Sequence, residues 1–328
     1  MAEKSAMWKE KRVAVVIPCF RVCGTILSVI RAIDPSVSAI YVVDDCCPEQ
    51  SGKFVRENIS DSRVRILSHA RNLGVGGASL TGFRKALEEG AEIIVKMDGD
   101  GQMDPGLLPH FVTPIAEGYA DYTKGNRFFN LEDVAVMPPG RLVGNAALSF
   151  AAKLSTGYWH VFDPTNGYLA IDAAVFSWLP VGKIDSGFFF ETDMLYRLNT
   201  LRAVVVDIPM TAVYGATESN FKFSREAFRF VRGHARNCMS RIFYNYFLRD
   251  FNVASLELAL GIMCLLFGGV FGTIRWVEGS IRDAFNSSGT VMLSALPIIL
   301  GTMLLLAFVA YDIESVPRLP IHKRLPRK

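Results

Sequence analysis

The strongest chemical signal in the sequence is an acidic segment, DGDGQMD, at residues 98–104. It directly follows the apolar run EIIVKM at 92–97, which is typical of a buried strand. Two carboxylates one residue apart at a strand end can hold a divalent cation against a diphosphate. Asp98 and Asp100 are therefore candidate ligands for Mg²⁺ or Mn²⁺. Asp-Gly pairs also form ordinary turns, and the segment alone does not separate the two interpretations.

The elements that must position this segment are short apolar runs alternating with helix-like stretches. Strands are predicted at 13–17, 39–43, 63–67 and 92–97, with helices at about 24–33, 49–59 and 76–89. This alternation indicates an α/β fold with a mostly parallel sheet, and the uninterrupted apolar runs indicate strands covered on both faces. Ligands bind beyond the carboxyl ends of such strands. Because Asp44 and Asp45 follow one strand and Asp98 another, we predict an acidic nucleotide or metal site at that edge.

The elements after this parallel core are less regular. A helix is predicted at about 141–156 and another at about 188–200, with a turn at 163–167 between them. The β-branched run AVVVDI at 203–208 predicts a further strand that stops at Pro209. These elements extend the α/β domain toward residue 220.

The residue pattern at 224–250 predicts a long helix with two distinct faces. Apolar side chains recur along one face at Phe228, Val231, Ala235, Met239, Ile242 and Tyr246. A neighbouring stripe is basic and consists of Arg225, Arg229, Arg232 and Arg236. This combination is typical of a helix lying in a membrane interface among anionic headgroups, and also of a helix packed on a core with a solvated basic flank. The sequence that follows favours the interfacial helix.

Two strongly apolar stretches, at about 253–274 and 290–311, are each long enough to span a bilayer. The tail after them is basic, with Arg318, Lys323, Arg324, Arg327 and Lys328. By the positive-inside rule, both flanks of this hairpin are cytoplasmic and its loop faces outward. The amino terminus lacks an apolar signal segment, so the first domain is expected to stay in the cytosol.

The composition agrees with attachment to a membrane. Of the 328 residues, 50% are hydrophobic and 20% are charged, and the mean hydropathy is +0.25. The net charge of +3 is too small to indicate nucleic-acid binding. We predict a cytoplasmic domain at 1–220, an amphipathic interfacial helix at 221–252 and a multi-pass transmembrane domain at 253–328. Gly268 and Gly272 have small-residue spacing that is compatible with a homo-oligomer.

The cysteines and histidines do not form a recognisable metal or disulfide pattern. The six cysteines include no CxxC pair, and the five histidines form no zinc motif. The vicinal pair Cys46-Cys47 is a poor start for a structural disulfide. We therefore expect reduced thiols in a cytosolic domain.

A set of motifs in a fixed order carries a family resemblance. They are IPCF at 17–20, VVDD at 42–45, NLGVGGA at 72–78, DGDGQMDP at 98–105, GNRF at 125–128 and DPTNGY at 163–168. The series resembles family 2 glycosyltransferases with the GT-A fold, a Rossmann-like α/β architecture. It is most similar to the branch of dolichol-phosphate mannose synthases and bactoprenol-phosphate glucosyltransferases. The resemblance covers about residues 12–220, and members of this branch commonly end in transmembrane helices.

The resemblance implies a role for each matching residue. Pro18 and Asp45 would line the base and ribose pocket of a nucleotide-sugar, with Asp44 contributing. Asp98, Asp100 and Gln102 would hold the donor diphosphate and its metal ion. A further set would act at the acceptor side: Arg127 and Arg141 on an acceptor phosphate, and Asp163 near the reacting centre.

The acidic segment Glu191-Thr192-Asp193 allows three interpretations. It resembles the motif that supplies a base in relatives with hydroxyl acceptors, which would place Asp193 in the nucleotide-sugar site. It also suits the amino terminus of a helix, where negative charge complements the dipole. In the third interpretation, Asp193 organises the acceptor arginines.

The activity that the resemblance implies is inverting, metal-dependent transfer of a hexosyl group. The donor would be a UDP- or GDP-sugar, and the acceptor a polyprenyl phosphate such as undecaprenyl or dolichyl phosphate. A phosphomonoester is already anionic at neutral pH and needs no strong base. Guanidinium groups that align it and a metal ion that stabilises the leaving diphosphate would then suffice. The alternative is a membrane-bound transferase that elongates a polysaccharide, but no QxxRW motif appears.

The chain departs from the family pattern at two places. After the second strand, Asp45-Cys46-Cys47-Pro48 stands where DDGS is usual. The usual Arg-x-x-Gly-x-Ser-Lys is replaced by Tyr214–Asn220, which removes both cations, so that Lys222, Arg225 or Lys124 would have to substitute. A dehydrogenase is disfavoured because Ser79 interrupts GxGxxG, and a non-catalytic scaffold because the DGDGQ segment and Arg127 are intact.

Overall fold

The computed structural model describes residues 8–129, 139–211 and 223–326. Its strands are β1 (Val13–Cys19), β2 (Ala39–Asp44), β3 (Val64–Ser68), β4 (Ile93–Lys96), β5 (Tyr122–Asn126), β6 (Leu169–Asp172) and β7 (Val205–Pro209). Its helices are α1 (Ile26–Ala32), α2 (Ser51–Asn58), α3 (Gly74–Glu88), α4 (Leu108–Ala116), α5 (Pro139–Thr156), α6 (Ala173–Trp178), α7 (Phe190–Leu201), α8 (Phe223–Ile242), α9 (Val253–Ile281) and α10 (Ser288–Glu314). By internal contacts the chain forms two compact units, Met1–Cys238 with Pro317–Lys328, and Met239–Val316.

The first unit is built on a seven-stranded sheet in the order β3-β2-β1-β4-β6-β5-β7. The pairs β1–β2, β1–β4, β2–β3 and β5–β7 are parallel, whereas β6 runs antiparallel to both of its neighbours. The β-branched runs of β1, β2 and β4 are almost wholly buried, as expected for strands covered on both faces. The predicted α/β fold with a mostly parallel sheet is confirmed.

Two strands and two helices of this unit were not predicted from the sequence. The segment YTKGN of β5 reads as polar, yet all five residues are buried. The segment LAID of β6 is only four residues long and carries little periodicity. Both strands are recognised only through their pairing, since β6 and β5 lie side by side between β4 and β7. Helices α4 and α6 flank these strands in the chain.

The carboxyl-terminal segment at 317–326 folds back onto the first unit and acts as a strap. The carboxylate of Asp121, at the start of β5, is fully buried. It accepts hydrogen bonds from the backbone N–H groups of Ile321 and His322 at 2.9–3.0 Å, and from that of Val204 at 2.7 Å. His322 Nδ1 lies 2.7 Å from the same carboxylate. A buried carboxylate is stable only with such partners, so the strap is part of the fold of this unit.

The second unit contains α9 and α10, which pack closely through small residues. A side chain added at Gly268 would meet the backbone of Ser294, whose hydroxyl donates to the Gly268 carbonyl at 3.0 Å. Gly261 and Gly301 also approach each other, and a Cβ on Gly301 would lie 2.8 Å from the Gly261 carbonyl oxygen. Gly261 and Gly268 of the first apolar helix thus serve the contact within the hairpin.

Both of these helices are long and apolar enough to cross a membrane. Their most apolar windows have mean hydropathies of 2.1 and 2.4, with only 22% and 11% of the residues buried. A core helix of a soluble protein would be mostly covered, so this exposed apolar surface agrees with lipid contact. The predicted stretches at 253–274 and 290–311 lie inside longer helices. Helix α9 begins at Val253 after its cap Asn252 and continues to Ile281, and α10 begins at Ser288 after its cap Ser287 and continues to Glu314.

Helix α8 exposes apolar side chains along part of the predicted face. Phe228, Val231 and Met239 are 72%, 68% and 74% exposed, whereas Tyr246, in the π-helical turn Phe243–Arg249 that follows, is buried. Tyr246 donates a hydrogen bond to Asp312, near the end of α10, at 2.6 Å. The predicted cap at Ser224 and the side chains of Arg225 and Glu226 lie outside the described residues.

Candidate active site

The DGDGQMD segment lies where the sequence placed it, immediately beyond the carboxyl end of β4. The Asp100 carboxylate accepts a hydrogen bond from the Gln102 backbone N–H at 3.0 Å through Oδ1. Burial raises the pKa of Asp100, and the negative charge of Asp98 raises it further. Asp104 at the end of the segment has a structural role, since its carboxylate caps the 3₁₀ turn Pro105–Leu107. Asp98 and Asp100 therefore concentrate negative charge at this edge of the sheet.

A fully buried lysine, Lys96, supports the first of these aspartates from the last position of β4. Its ammonium donates to Asp98 Oδ1 at 2.7 Å and lies 3.4 Å from Glu191 Oε1 at the start of α7. Burial lowers the pKa of Lys96, but the charges of Asp98 and Glu191 outweigh that effect and the pKa is raised. Lys96 thus stays charged and orients Asp98.

The second part of the site forms beyond the carboxyl end of β5. Arg127 forms a bidentate pair with the Asp163 carboxylate, in which Nε donates to Oδ2 at 2.7 Å and Nη2 donates to Oδ1 at 2.9 Å. Asn166 donates to the same carboxylate at 3.0 Å. Burial would raise the pKa of Asp163, but the hydrogen bonds and charge of Arg127 lower it below its usual value. The buried Lys124 donates to the backbone carbonyls of Asp163 and Gly125.

The turn at 163–168 joins these two parts. The Gly167 carbonyl accepts a hydrogen bond from Lys96 Nζ at 3.1 Å. A Cβ on Gly167 would lie 2.6 Å from both Lys96 Nζ and Asp98 Oδ2, so only glycine fits there. Asn166 and Asp163, in the same turn, reach the arginine on β5. The turn at 163–168 therefore contacts both the acidic part of the site and Arg127.

The two aspartates after β2 are held by backbone N–H groups. Asp44 accepts from Cys47 N at 2.8 Å and Gly52 N at 2.7 Å. Asp45 accepts from Leu73 N and Gly74 N, both at 2.8 Å, and pairs with His69 at 2.7 Å. These bonds fix the loops that follow β2 and β3. Pro18 lies on β1 in register with Val43, beside the same edge. The nucleotide roles of Pro18, Asp44 and Asp45 stay predictions.

Asp193 is placed differently from the other acidic residues. It is fully buried and accepts from Arg197 Nε at 3.1 Å, Arg236 Nη2 at 3.2 Å and Asn237 Nδ2 at 3.0 Å. It therefore fastens α7 to α8, and it pairs with arginines other than Arg127. Arg141 lies on α5, but its side chain is outside the described residues, as is the segment 214–222.

The residues at the DGDGQMD segment are suited to hold a divalent cation. In the described ranges, no group of three or more His, Cys, Asp or Glu side chains is arranged as a metal cluster. Two carboxylates are nevertheless what Mg²⁺-type sites use when diphosphate oxygens and water complete the shell. Burial and then the charge of Asp98 raise the pKa of Asp100, and a bound cation would offset both effects by stabilising the charged carboxylate.

Lys96 and Asn166 carry a signal in the sequence that the motif analysis does not use, whereas His69 carries none. Lys96 is a charged residue inside the apolar run EIIVKM, a pattern that indicates a buried partner. Asn166 lies inside the DPTNGY motif, next to the glycine that approaches Asp98. His69 bridges Asp45 and Thr81, at 2.7 and 3.0 Å, and no local pattern marks it.

Replacing Lys96 with methionine is expected to lower the free energy of unfolding by about 3 kcal/mol or more, because it leaves the Glu191 and Asp98 carboxylates without their buried cation. Thermal unfolding of the detergent-solubilised chain measures the change. The double variant Lys96→Met/Glu191→Leu should recover part of the loss, since one of the two uncompensated charges is gone. Lys53→Met, on the exposed face of α2, is the control and should change stability by about 0.5 kcal/mol or less. Equal stability of Lys96→Met and the control would contradict the role of Lys96.

Residues 14–178, half of the chain, match the family described as Glycosyl transferase family 2. An undecaprenyl-phosphate mannosyltransferase of Micrococcus luteus is 29% identical over 206 residues, which cover 62% of this chain and 84% of the relative. A UDP-N-acetylglucosamine–dolichyl-phosphate N-acetylglucosaminyltransferase of Methanococcus voltae is 31% identical over 175 residues, covering 49% and 69%. Among solved structures, glucosyl-3-phosphoglycerate synthase from Mycobacterium tuberculosis, in complex with Mn²⁺, UDP and glucosyl-3-phosphoglycerate, superposes with a TM-score of 0.53 at 20% identity, over 73% of this chain and 83% of that one. At this identity the likeness supports the fold alone.

Proposed function

The chain belongs to glycosyl transferase family 2, which confirms the resemblance of its ordered motifs, and on that premise we propose that it transfers a hexosyl group from a nucleotide-sugar to a polyprenyl phosphate. The donor is a UDP- or GDP-sugar, and the acceptor is undecaprenyl or dolichyl phosphate. The relatives named above are enzymes that act on undecaprenyl phosphate or dolichyl phosphate. The product is a lipid-linked sugar that serves glycan or surface polysaccharide assembly.

The observation that carries this proposal is the adjacency of an acidic and a basic half-site. Asp98 and Asp100 lie beyond β4, Arg127 lies beyond β5, and the turn containing Gly167 links them. An anionic acceptor held by a guanidinium would face a donor whose diphosphate is held next to the aspartates. A neutral hydroxyl acceptor would have no need for that guanidinium.

On the donor side, Asp98 and Asp100, with Gln102, would hold Mg²⁺ or Mn²⁺ against the diphosphate. When bound, the cation supplies charge stabilisation to the leaving nucleoside diphosphate. Lys96 keeps Asp98 in place by its 2.7 Å contact, so the site is organised before the donor arrives. The Mn²⁺ in the structurally similar synthase is in keeping with this proposal.

On the acceptor side, Arg127 would align the lipid phosphate for in-line attack on the anomeric carbon, which inverts its configuration. Asp163 holds Arg127 in a two-pronged pair, so the guanidinium is oriented at little further entropic cost. Arg141, on α5, is proposed as the second arginine. The phosphate is already a nucleophile at neutral pH, so the reaction requires no general base.

The polysaccharide-elongating alternative requires a base for a sugar hydroxyl. The two candidates for that base are Glu191 and Asp193. Glu191 is buried beside Lys96, and Asp193 accepts hydrogen bonds from Arg236 and Asn237 of α8. Both carboxylates therefore have structural partners, which favours the phosphate acceptor. We further propose that the catalytic domain lies on the cytoplasmic face, since the basic tail follows the second apolar helix.

The decisive test incubates the purified chain with undecaprenyl phosphate and a panel of radiolabelled UDP-, GDP- and dTDP-sugars. We expect lipid-soluble label from one donor, dependent on a divalent cation and released by mild acid as the free sugar. Label that enters only polymer would support the elongating alternative. No transfer from any donor to lipid or polymer would refute both.

A further inference from the structure

A small pocket bordered by arginines lies between α8 and the segment that precedes α7. It has a volume of about 260 Å³ and is lined by Asp185, Phe189, Phe228, Arg229, Arg232, Gly233 and Arg236. This volume is below the roughly 300–1,000 Å³ of pockets for drug-sized ligands and suits a headgroup-sized ligand. None of these residues belongs to the half-sites around Asp98 and Arg127. The pocket is therefore a second candidate ligand site in the first unit.

Two of its arginines are held in fixed positions by carboxylates. Arg229 donates to both oxygens of Asp185, at 2.7 and 2.8 Å, and its guanidinium lies against Gly187, where a Cβ would be only 2.5 Å from Nη1. Arg236 donates to the buried Asp193 at 3.2 Å. Both side chains keep substantial exposure, 42% and 57%, so their remaining donors can reach a ligand.

The third arginine, Arg232, lies between these two on the same face of α8. Within the described ranges it makes no ion pair or hydrogen bond with another side chain, and it is exposed. Among the residues that the structure describes, Arg229 and Arg236 are each paired with an aspartate and Arg232 is not, so the pocket has excess positive charge. Guanidinium groups bind phosphate oxygens through paired N–H donors, so a phosphate is the anion that this arrangement fits.

The surroundings of the pocket indicate an amphiphile as the carrier of this phosphate. Phe228 lines the pocket and is 72% exposed, and Val231 on the same helix is 68% exposed. Helix α8 also leads, after one short segment, into the apolar helix α9. We propose that the pocket binds the headgroup phosphate of an anionic membrane phospholipid, separately from the acceptor phosphate at Arg127.

The test uses the full chain in a neutral detergent and follows its thermal unfolding while dihexanoyl phosphatidic acid is titrated. The wild type should be stabilised, and Arg232→Gln should require about fivefold more of this lipid for half the effect, the contribution expected of one basic residue at a lipid surface. Arg232→Gln leaves the Arg229–Asp185 and Arg236–Asp193 pairs in place, so its fold is retained. Arg31→Gln, an exposed arginine on α1, is the matched control and should behave as wild type.

Three results would overturn the proposal. The first is an identical titration for Arg232→Gln and wild type. The second is equal stabilisation by inorganic phosphate at the same concentration, which would make the pocket a site for water-soluble anions. The third is an Arg232-dependent response to farnesyl phosphate without one to phosphatidic acid, which would assign the pocket to the prenyl acceptor. Sugar transfer is not measured in this test, so its outcome is independent of the proposed transferase activity.

Discussion

Asp100→Asn will reduce sugar transfer about a thousandfold or more, because the amide replaces a charged ligand of the cation that stabilises the leaving diphosphate. The variant will also bind Mn²⁺ more weakly in the presence of nucleoside diphosphate, as measured by electron paramagnetic resonance of the free ion. The fold should persist, since the hydrogen bond that Asp100 accepts from the Gln102 N–H can equally be accepted by an amide oxygen.

The control for this change lies in the same motif. Asp104→Asn removes the same charge but keeps a good cap for the 3₁₀ turn at Pro105–Leu107, so transfer should stay within about twofold of wild type. Equal activity and equal Mn²⁺ binding of Asp100→Asn and Asp104→Asn would show that Asp100 holds no cation.

The raised pKa of Asp100 adds a pH dependence to this prediction. Below that pKa the carboxyl is protonated and cannot bind a cation, so the half-saturating Mn²⁺ concentration should rise as the pH falls. The rise should begin at a higher pH than for a carboxylate of ordinary pKa. In Asp100→Asn this dependence should be much weaker.

Arg127→Lys will lower kcat/KM for the lipid phosphate about a hundredfold, because lysine keeps the charge but cannot make the two-pronged contact. We expect KM for the nucleotide-sugar to change less than twofold, since the donor is held beyond β4. Lysine can still compensate the buried Asp163, which limits the loss of stability. Steady-state kinetics with each substrate varied in turn measures both effects.

Arg31→Lys is again the control on an exposed helix and should match wild type in both parameters. A rise in donor KM with an unchanged acceptor KM would place Arg127 on the diphosphate instead. That result would leave the transferase activity intact while removing the evidence for a phosphate acceptor.

The sequence predicted the parallel half of the sheet because each of its strands is a local apolar run. The ends of those strands then placed Asp44, Asp45, Asp98 and Asp100 at one edge without further information. Strand β5 could not be found in this way. Its polar residues are buried against partners distant in the chain, such as Asp163 for Lys124 and Asp207 for Asn126, which no local pattern reveals.

The partners of the site residues were harder to predict than the residues themselves. The motifs indicated both Asp163 and Arg127, but their pairing depends on the turn at 163–168 lying beside β5. The role of Lys96 as a buried ion-pair partner depends on Glu191, which is distant in the chain and which the fold places 3.4 Å away. Asp193 allows three interpretations from the sequence, and only the structure shows that its carboxylate contacts arginines of α7 and α8. Local spacing identifies chemistry, but long-range packing decides which groups meet.

The strap that contacts Asp121 makes the catalytic unit discontinuous in sequence. Residues 239–316, which include the two apolar helices, are an insertion between its two segments. A fragment cut after residue 238 would therefore retain a fully buried carboxylate and lose its contacts to Ile321 and His322. A version without the second unit is better made by excising residues 239–316 than by truncating the chain at residue 238.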